Sequence, residues 1–366
     1  MPKKIRVGIL FGGRSAEHEV SLQSAKNIID AIDTNKYELV LIGIDKKGRW
    51  HLNEESRFLL PTSGSELPEL PESGENLALI PGRQGEQLVA LSGQQTLGSL
   101  DVIFPVLHGP FGEDGTVQGL LKLGNIPFVG AGVLGSAVAM DKDVTKRLLR
   151  DAGIPVARFI SIDRCSSDKI DFDYARGQLG LPLFIKPANL GSSVGIHKIR
   201  DREGFDLAIR DAFNYDNKIL IEEAIKGREI ECSVLGNDNP VASVPGEILP
   251  RNEFYSYEAK YLDENGAVLE IPARIPREIS ERIRQTAIKT FRVLCCEGMA
   301  RVDFFLRNGE EIIVNEINTI PGFTRISMYP KLWEASGLPY GELIDKLIAL
   351  AIEKFEREKA LKTDRA

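Results

Sequence analysis

Apolar positions in this chain fall into two rhythms. Short runs at 5–10 (Ile-Arg-Val-Gly-Ile-Leu), 37–44 (Tyr-Glu-Leu-Val-Leu-Ile-Gly-Ile), 101–107 and 156–162 are too brief for helices and predict strands. Phe11-Gly-Gly-Arg-Ser-Ala-Glu-His-Glu-Val reads as a loop entering a helix, so the first two strands bracket a βαβ unit. Its loop lies at the carboxyl ends of the strands, where open α/β sheets bind ligands. Residues 277–294 and 341–361 space their apolar positions as amphipathic helices do. Residues 46–100 shift to Gly, Ser, Pro, Glu and Gln with brief apolar runs, which predicts hairpins and surface loops.

The densest pattern spans residues 300–324, where two apolar-rich runs flank Asn308-Gly309, a dipeptide suited to a type I′ hairpin turn. With a two-residue loop, Arg307 faces Glu310, Arg301 faces Glu316 and Asp303 faces Val314. Alternation then puts Arg301, Asp303, Phe305, Glu316 and Asn318 on one face. Asp303 and Glu316 become diagonal neighbours roughly 7–8 Å apart at the backbone. Two carboxylates and an amide oxygen suit Mg²⁺, a hard cation that keeps positions for water and phosphate. The other reading is a solvated sheet face, and a one-residue bulge would redirect half of these side chains.

Composition narrows the class. The chain has 366 residues, 43% hydrophobic and 27% charged, enough for two or three domains of an ordinary globular protein. A net charge of −7 without a long basic block argues against nucleic acid as the main partner. Four cysteines without CxxC spacing read as reduced thiols. The start of the chain has lysines before an apolar run but no small-residue cleavage site, and no stretch approaches the ~20 residues of a membrane span. The expectation is a cytoplasmic protein with no membrane partner.

Other stretches carry candidate chemistry. His108-Gly-Pro-Phe-Gly-Glu-Asp-Gly-Thr follows a strand, and His108 either faces a ligand or braces the loop. Gly130 to Gly135 matches GxGxxG, but Asp151 sits in a helix tail rather than ending a second strand, against a dinucleotide site and a nicotinamide-dependent oxidoreductase. Two strands bracket Gly191-Ser192-Ser193-Val194-Gly195, whose amides and hydroxyls can cradle phosphate or form a plain turn; Lys186 just before it favours phosphate. Glu222, Glu223 and Glu229 can accept from a nucleoside or end a solvated strand. Residues 251–263 are aromatic, charged and non-periodic, a candidate lid.

Taken together these stretches resemble the ATP-grasp superfamily. Gly12-Gly-Arg-Ser-Ala-Glu17-His-Glu-Val-Ser, the His108 loop, Met140-Asp-Lys142, Lys186-Pro-Ala-Asn-Leu-Gly-Ser-Ser-Val-Gly, Tyr257-Glu-Ala-Lys-Tyr261 and Asn315-Glu-Ile-Asn-Thr-Ile-Pro-Gly322 resemble the D-alanine–D-alanine ligase family, in order and over nearly the whole chain. The resemblance implies an N-terminal open parallel α/β domain (1–138, with 46–100 as a loop-rich insertion), then a two-subdomain α+β ATP-grasp fold (139–228 and 229–366). It implies that ATP activates one D-alanine as an acyl phosphate, which the amine of a second attacks to give D-alanyl-D-alanine for peptidoglycan. A sister activity joining D-alanine to D-lactate or D-serine is the near alternative.

By the same resemblance, Lys142, Lys186, Ser193 and Lys260 hold phosphates, with Glu222, Glu223, Glu229 and Phe305 around the nucleoside. Asp303, Glu316 and Asn318 hold two Mg²⁺ or Mn²⁺. Glu17 and His108 meet the first substrate, Ser327 meets the second, and Arg301 with the amide of Gly322 stabilises the oxyanion. Ser192 and Tyr261 link the phosphate loop and the lid to Glu17. A homodimer is expected from the family.

Overall fold

The computed structural model describes residues 3–53, 70, 75–82, 85, 87–92, 98–169, 171–191, 194–250 and 267–362. Ser192, Ser193, Lys260, Tyr261 and the whole 251–263 stretch lie outside the described residues.

The first sheet begins with β1 (Ile5–Gly12), α1 (His18–Ala31) and β2 (Tyr37–Ile44), the βαβ unit expected from the apolar runs. Leu22, Ala25, Ile28 and Ile29 recur at helical spacing on α1, and all are buried over the sheet. The 46–100 region supplies β3 (Trp50–Asn53), β4 (Glu75–Leu79) and β5 (Leu88–Ala90), before β6 (Val102–Val106) returns to the centre. The order is β5-β4-β3-β2-β1-β6, with β1 parallel to β2 and β6 and the inserted strands antiparallel. Gly12 ends β1 at φ +92°, and a Cβ there would meet the Ile44 carbonyl oxygen at 2.2 Å. Only glycine lets the chain leave the sheet at that point.

Helices α2 (Thr116–Leu123), α3 (Val133–Met140) and α4 (Lys142–Asp151) lead to the second sheet. The GxGxxG stretch has a packing explanation. A Cβ on Gly135 would meet the Cys295 carbonyl at 2.4 Å, and one on Gly298 would press on the Gly130 backbone at 3.1 Å. These glycines admit a close approach of two chain segments, which removes the dinucleotide reading.

The second sheet holds β7 (Phe159–Asp163), β8 (Leu183–Pro187), β9 (His197–Ile199) and β10 (Lys218–Glu223) in the order β7-β10-β8-β9, all antiparallel. Helices α5 (Phe172–Leu179) and α6 (Arg202–Tyr215) cover one face and close a core of Phe172, Phe205 and Phe213 with the strand residues. The loop with Gly191 joins β8 to β9, as the sequence predicts.

The third sheet contains β11 (Arg228–Gly236), β12 (Val241–Ala242), β13 (Gly246–Pro250), β14 (Ala267–Glu270), β15 (Gly298–Arg307) and β16 (Glu311–Asn318). Its order is β14-β13-β11-β15-β16, with β12 on β11. Helix α7 (Arg277–Val293) packs Ile283, Ala287 and Phe291 under it. Two further helices follow, α8 (Met328–Ala335) and α9 (Tyr340–Lys359). The two amphipathic stretches are thus helices as expected. Leu343, Ile344, Leu347 and Ile348 of α9 share one core with Val7, Ile9 and Phe104 of the first sheet. The end of the chain therefore covers the beginning. Lys354 fixes this return by donating to the Gly130 carbonyl at 2.6 Å, 4.3 Å above the Phe128 ring centroid.

The β15–β16 register corrects the expected one. Arg307 pairs with Glu311, so the turn has three residues, with Asn308 at φ +54° and Gly309 at φ +78°. That one-residue slip alone would reverse the faces. A second irregularity lies between Asp303 and Phe304, where Asn315 is the extra residue on β16, and it restores the parity. Asp303 therefore stands directly opposite Glu316, and Arg301 opposite Asn318. The shared face survives; the diagonal arrangement does not.

Candidate active site

A cleft is lined by Glu113, Met140, Lys142, Gly191, Glu316 and Asn318 among others. Lys142 reaches it because Asp141 caps α4: the Asp141 carboxylate accepts from the amides of Asp143 and Val144 at 3.1 Å. The next residue starts the helix at a fixed place, and its ammonium donates to the Leu190 carbonyl at 2.5 Å and lies 4.0 Å from Glu316. Burial, and then the neighbouring Lys186, pull the Lys142 pKa down, while Glu316 and Glu222 oppose that.

Lys186 is a buried β8 residue paired in register with Leu220 of β10, two residues before Glu222. Its ammonium bonds one Glu222 oxygen, and Lys146 of α4 bonds the other. Burial alone would raise the Glu222 pKa, but the two ammonium groups outweigh it and hold the group as a carboxylate. Glu223 points the other way, to Arg158 at 2.7 Å. Glu229 is paired in the ladder opposite Phe305. Of the three acids singled out from sequence, Glu222 is joined to Lys186.

On the hairpin face, Arg301 places two nitrogens on the Asp303 carboxylate, each at 2.7 Å, and its Nε also lies 2.9 Å from Glu231. The Asn318 amide donates to Asp303 at 3.0 Å. Among the described residues no group of three or more His, Cys, Asp or Glu is arranged for a metal. The hairpin offers two facing carboxylates and an amide, an incomplete set of hard oxygens. That set fits Mg²⁺ only when phosphate and water supply its other ligands.

The N-terminal loops meet this face. Glu17 precedes α1 without capping it and is buried. Its carboxylate lies between two glycines: a Cβ on Gly109 would come within 2.8 Å of it, and one on Gly191 within 3.4 Å. His108 is buried, with Nδ1 at 3.0 Å from the Ile320 carbonyl and Nε2 at 3.4 Å from Ser24 Oγ. Burial lowers its pKa, leaving a neutral ring that donates to Ile320 and accepts from Ser24. Ser24 also accepts from the Phe323 amide at 3.3 Å. His108 thus sits near Glu17 and braces the loop containing Gly322, which is the loop-bracing role considered for it. Ser327 closes the same loop: its Oγ accepts from the Thr324 amide at 3.0 Å, and a Cβ on Gly322 would touch it at 3.0 Å.

Sequence reasoning passed over three residues here. Glu113 accepts from the amides of Gly109 at 2.8 Å and Ile320 at 3.0 Å, tying the His108 loop to the Gly322 loop. Burial and the nearby Glu17 push its pKa up to about 8. Glu113 lay inside a motif already noted. Lys146 and Glu231 gave no local signal, since their partners are distant in sequence.

Lys142 of α4 facing Glu316 of the hairpin across a cleft beside Gly191 is the arrangement of an ATP-grasp ligase. The family model described as D-ala D-ala ligase N-terminus matches residues 6–131, and that described as D-ala D-ala ligase C-terminus matches 148–349. The chain belongs to the D-alanine–D-alanine ligase family. It is 59% identical over 363 residues to the D-alanine–D-alanine ligase of Shouchella clausii, covering 99% of this chain and 98% of that one. The solved D-alanine–D-alanine ligase of Coxiella burnetii superposes with a TM-score of 0.85 at 40% identity, over 97% of this chain and 96% of that one. The VanG D-Ala:D-Ser ligase of Enterococcus faecalis superposes with a TM-score of 0.84 at 36% identity, over 95% and 100%. Among the described residues no helix is long and apolar enough to cross a membrane.

Proposed function

We propose that the protein joins two D-alanines into D-alanyl-D-alanine at the expense of ATP, through a D-alanyl phosphate, and so supplies peptidoglycan precursor synthesis. The observation that carries this is the convergence on one cleft of Lys142, Gly191 and the stretch from Glu316 to Thr319, with Asp303 paired opposite Glu316.

In this reading Lys142 and Lys186, with Ser193 and Lys260, hold the ATP phosphates, while Phe305, Glu222, Glu223 and Glu229 surround the nucleoside. Asp303, Glu316 and Asn318 would hold Mg²⁺ or Mn²⁺, which supplies charge neutralisation on the phosphates. Glu17 binds the ammonium of the first D-alanine beside His108, and that substrate's carboxylate oxygen attacks the γ-phosphorus. Ser327 holds the carboxylate of the second D-alanine, whose free amine attacks the acyl carbon and expels phosphate. Arg301 and the Gly322 amide face the oxyanion, where losing one such donor costs ~10²–10³ in rate. Ser192 and Tyr261 join the phosphate loop and the 251–263 lid to Glu17 and exclude water from the acyl phosphate. The protein works in the cytoplasm as a homodimer.

Similarity to a D-Ala:D-Ser ligase supports a second reading, with D-serine as acceptor, against the higher identity to a ligase named for D-alanine alone. ADP release measured with D-alanine alone, L-alanine alone, and D-alanine plus D-lactate or D-serine, with the products identified, separates them. D-Alanine alone should support full turnover. Turnover only with a second acceptor would transfer the assignment to the sister activity.

A further inference from the structure

Lys146 lies one helical turn after Lys142 on α4 and has no exposed surface. Its ammonium bonds one oxygen of the buried Glu222, while Lys186 bonds the other. It also lies 3.3 Å from the carbonyl of Asn315, the residue that bulges from β16 next to Glu316. One buried carboxylate is thus shared by two ammonium groups, one of which must turn toward phosphate when a nucleotide binds. Drawing Lys186 away from a closed Lys186–Glu222 pair would strand a buried anion, and a lone buried charge is strongly unfavourable.

We propose that Lys146 is a positioning residue for nucleotide binding: it stays on Glu222 as a standing counter-ion and so releases Lys186 to the phosphates of a nucleoside triphosphate. This rests on the reading of Lys186 as a phosphate ligand. The bond to Asn315 adds a second consequence. The same ammonium ties the Lys186–Glu222 cluster to the strand carrying Glu316, so both sides of the phosphate site share one anchor.

The test compares full-length wild type, Lys146→Met and Lys146→Arg, which keeps the cation. The readouts are ATP KM, D-alanine KM, Mg-ADP affinity by calorimetry and thermal midpoint. Lys146→Met should weaken ATP and ADP at least tenfold and leave the D-alanine KM within twofold. Lys146→Arg, which keeps a cation on Glu222, should hold nucleotide affinity to within threefold of wild type. A purely structural role would lower the thermal midpoint without that split or that rescue. If Lys146→Met folds and binds nucleotide as wild type does, the proposal is overturned. If it does not fold, Lys146→Arg decides: near-wild-type nucleotide affinity supports the proposal and a tenfold loss in the folded variant overturns it. Wild type that fails to bind Mg-ADP at all would instead overturn the reading of Lys186, and the proposal with it.

Discussion

Replacing Glu113 by glutamine changes one oxygen to an amide and should separate two functions of that side chain. The carboxylate receives two backbone N–H groups, from Gly109 at 2.8 Å and Ile320 at 3.0 Å. A glutamine side chain has one acceptor oxygen, so one of those amides would face an NH₂. An unsatisfied buried donor costs ~1–3 kcal/mol, roughly 5–150-fold if expressed in the transition state. Ile320 precedes Gly322 by two residues, so the loss falls on the proposed oxyanion donor and should appear in kcat more than in KM. The wild-type group has its pKa pushed up to about 8 by burial and then by Glu17. Below about pH 7 it is largely the neutral acid, which glutamine imitates, and the kcat ratio should stay within about threefold. Above about pH 9 the wild-type carboxylate accepts both bonds and the ratio should widen to the full ~5–150-fold. Stability moves the opposite way. A carboxyl whose folded pKa is raised holds its proton longer when folded, so stability from this group is lost as pH rises from the ordinary carboxyl value through about 8. The variant lacks that loss, and its unfolding midpoint should gain on wild type over the same window. Steady-state ADP release at saturating substrates from pH 6.5 to 9.5, with thermal melts at each pH, reads both. A kcat ratio independent of pH would refute the argument.

Three further outcomes follow from the same geometry. Glu316→Gln should fold normally yet lose at least ~10²-fold in turnover at saturating Mg²⁺, with Asp303→Asn milder; circular dichroism and ADP release check this, and near-wild-type ligation would remove the metal assignment. Leu347→Ala empties a fully buried site between α9 and the first sheet and should cost ~2–5 kcal/mol in urea unfolding while leaving the D-alanine KM of the folded enzyme unchanged. Tyr261→Phe should lower dipeptide synthesis and raise D-alanyl-D-lactate relative to it, most visibly near or below neutral pH where the competing amine is protonated; an unchanged ester-to-amide ratio would place specificity elsewhere, around Ser327.

The sequence made much of this legible where the signal is local. The apolar runs of β1 and β2, the strands around Gly191 and the periodicity of α7 and α9 each follow from spacing alone. The hairpin was legible in its face but not in its register. Periodicity fixes which side chains alternate, whereas nothing periodic marks a three-residue turn or the bulge at Asn315, and the two slips cancel in parity. The strands of the 46–100 region are too short to carry a period, so their antiparallel addition to the parallel sheet left little trace in the pattern. Lys146 and Glu231 were invisible because each is defined by partners brought together from other elements, Glu222 and Arg301 respectively. The return of α9 to the first sheet was hidden for the same reason, since an amphipathic helix declares a buried face without naming what buries it.

The central claim is that one D-alanine is activated by phosphorylation of its own carboxylate before the second attacks. D-Alanine labelled with ¹⁸O in its carboxylate, incubated with enzyme, ATP and Mg²⁺, tests it directly by mass spectrometry of the released phosphate. Attack of the labelled oxygen on the γ-phosphorus, then expulsion of phosphate by the second amine, predicts one ¹⁸O in phosphate for each dipeptide formed. Dipeptide accompanied by unlabelled phosphate would contradict the account.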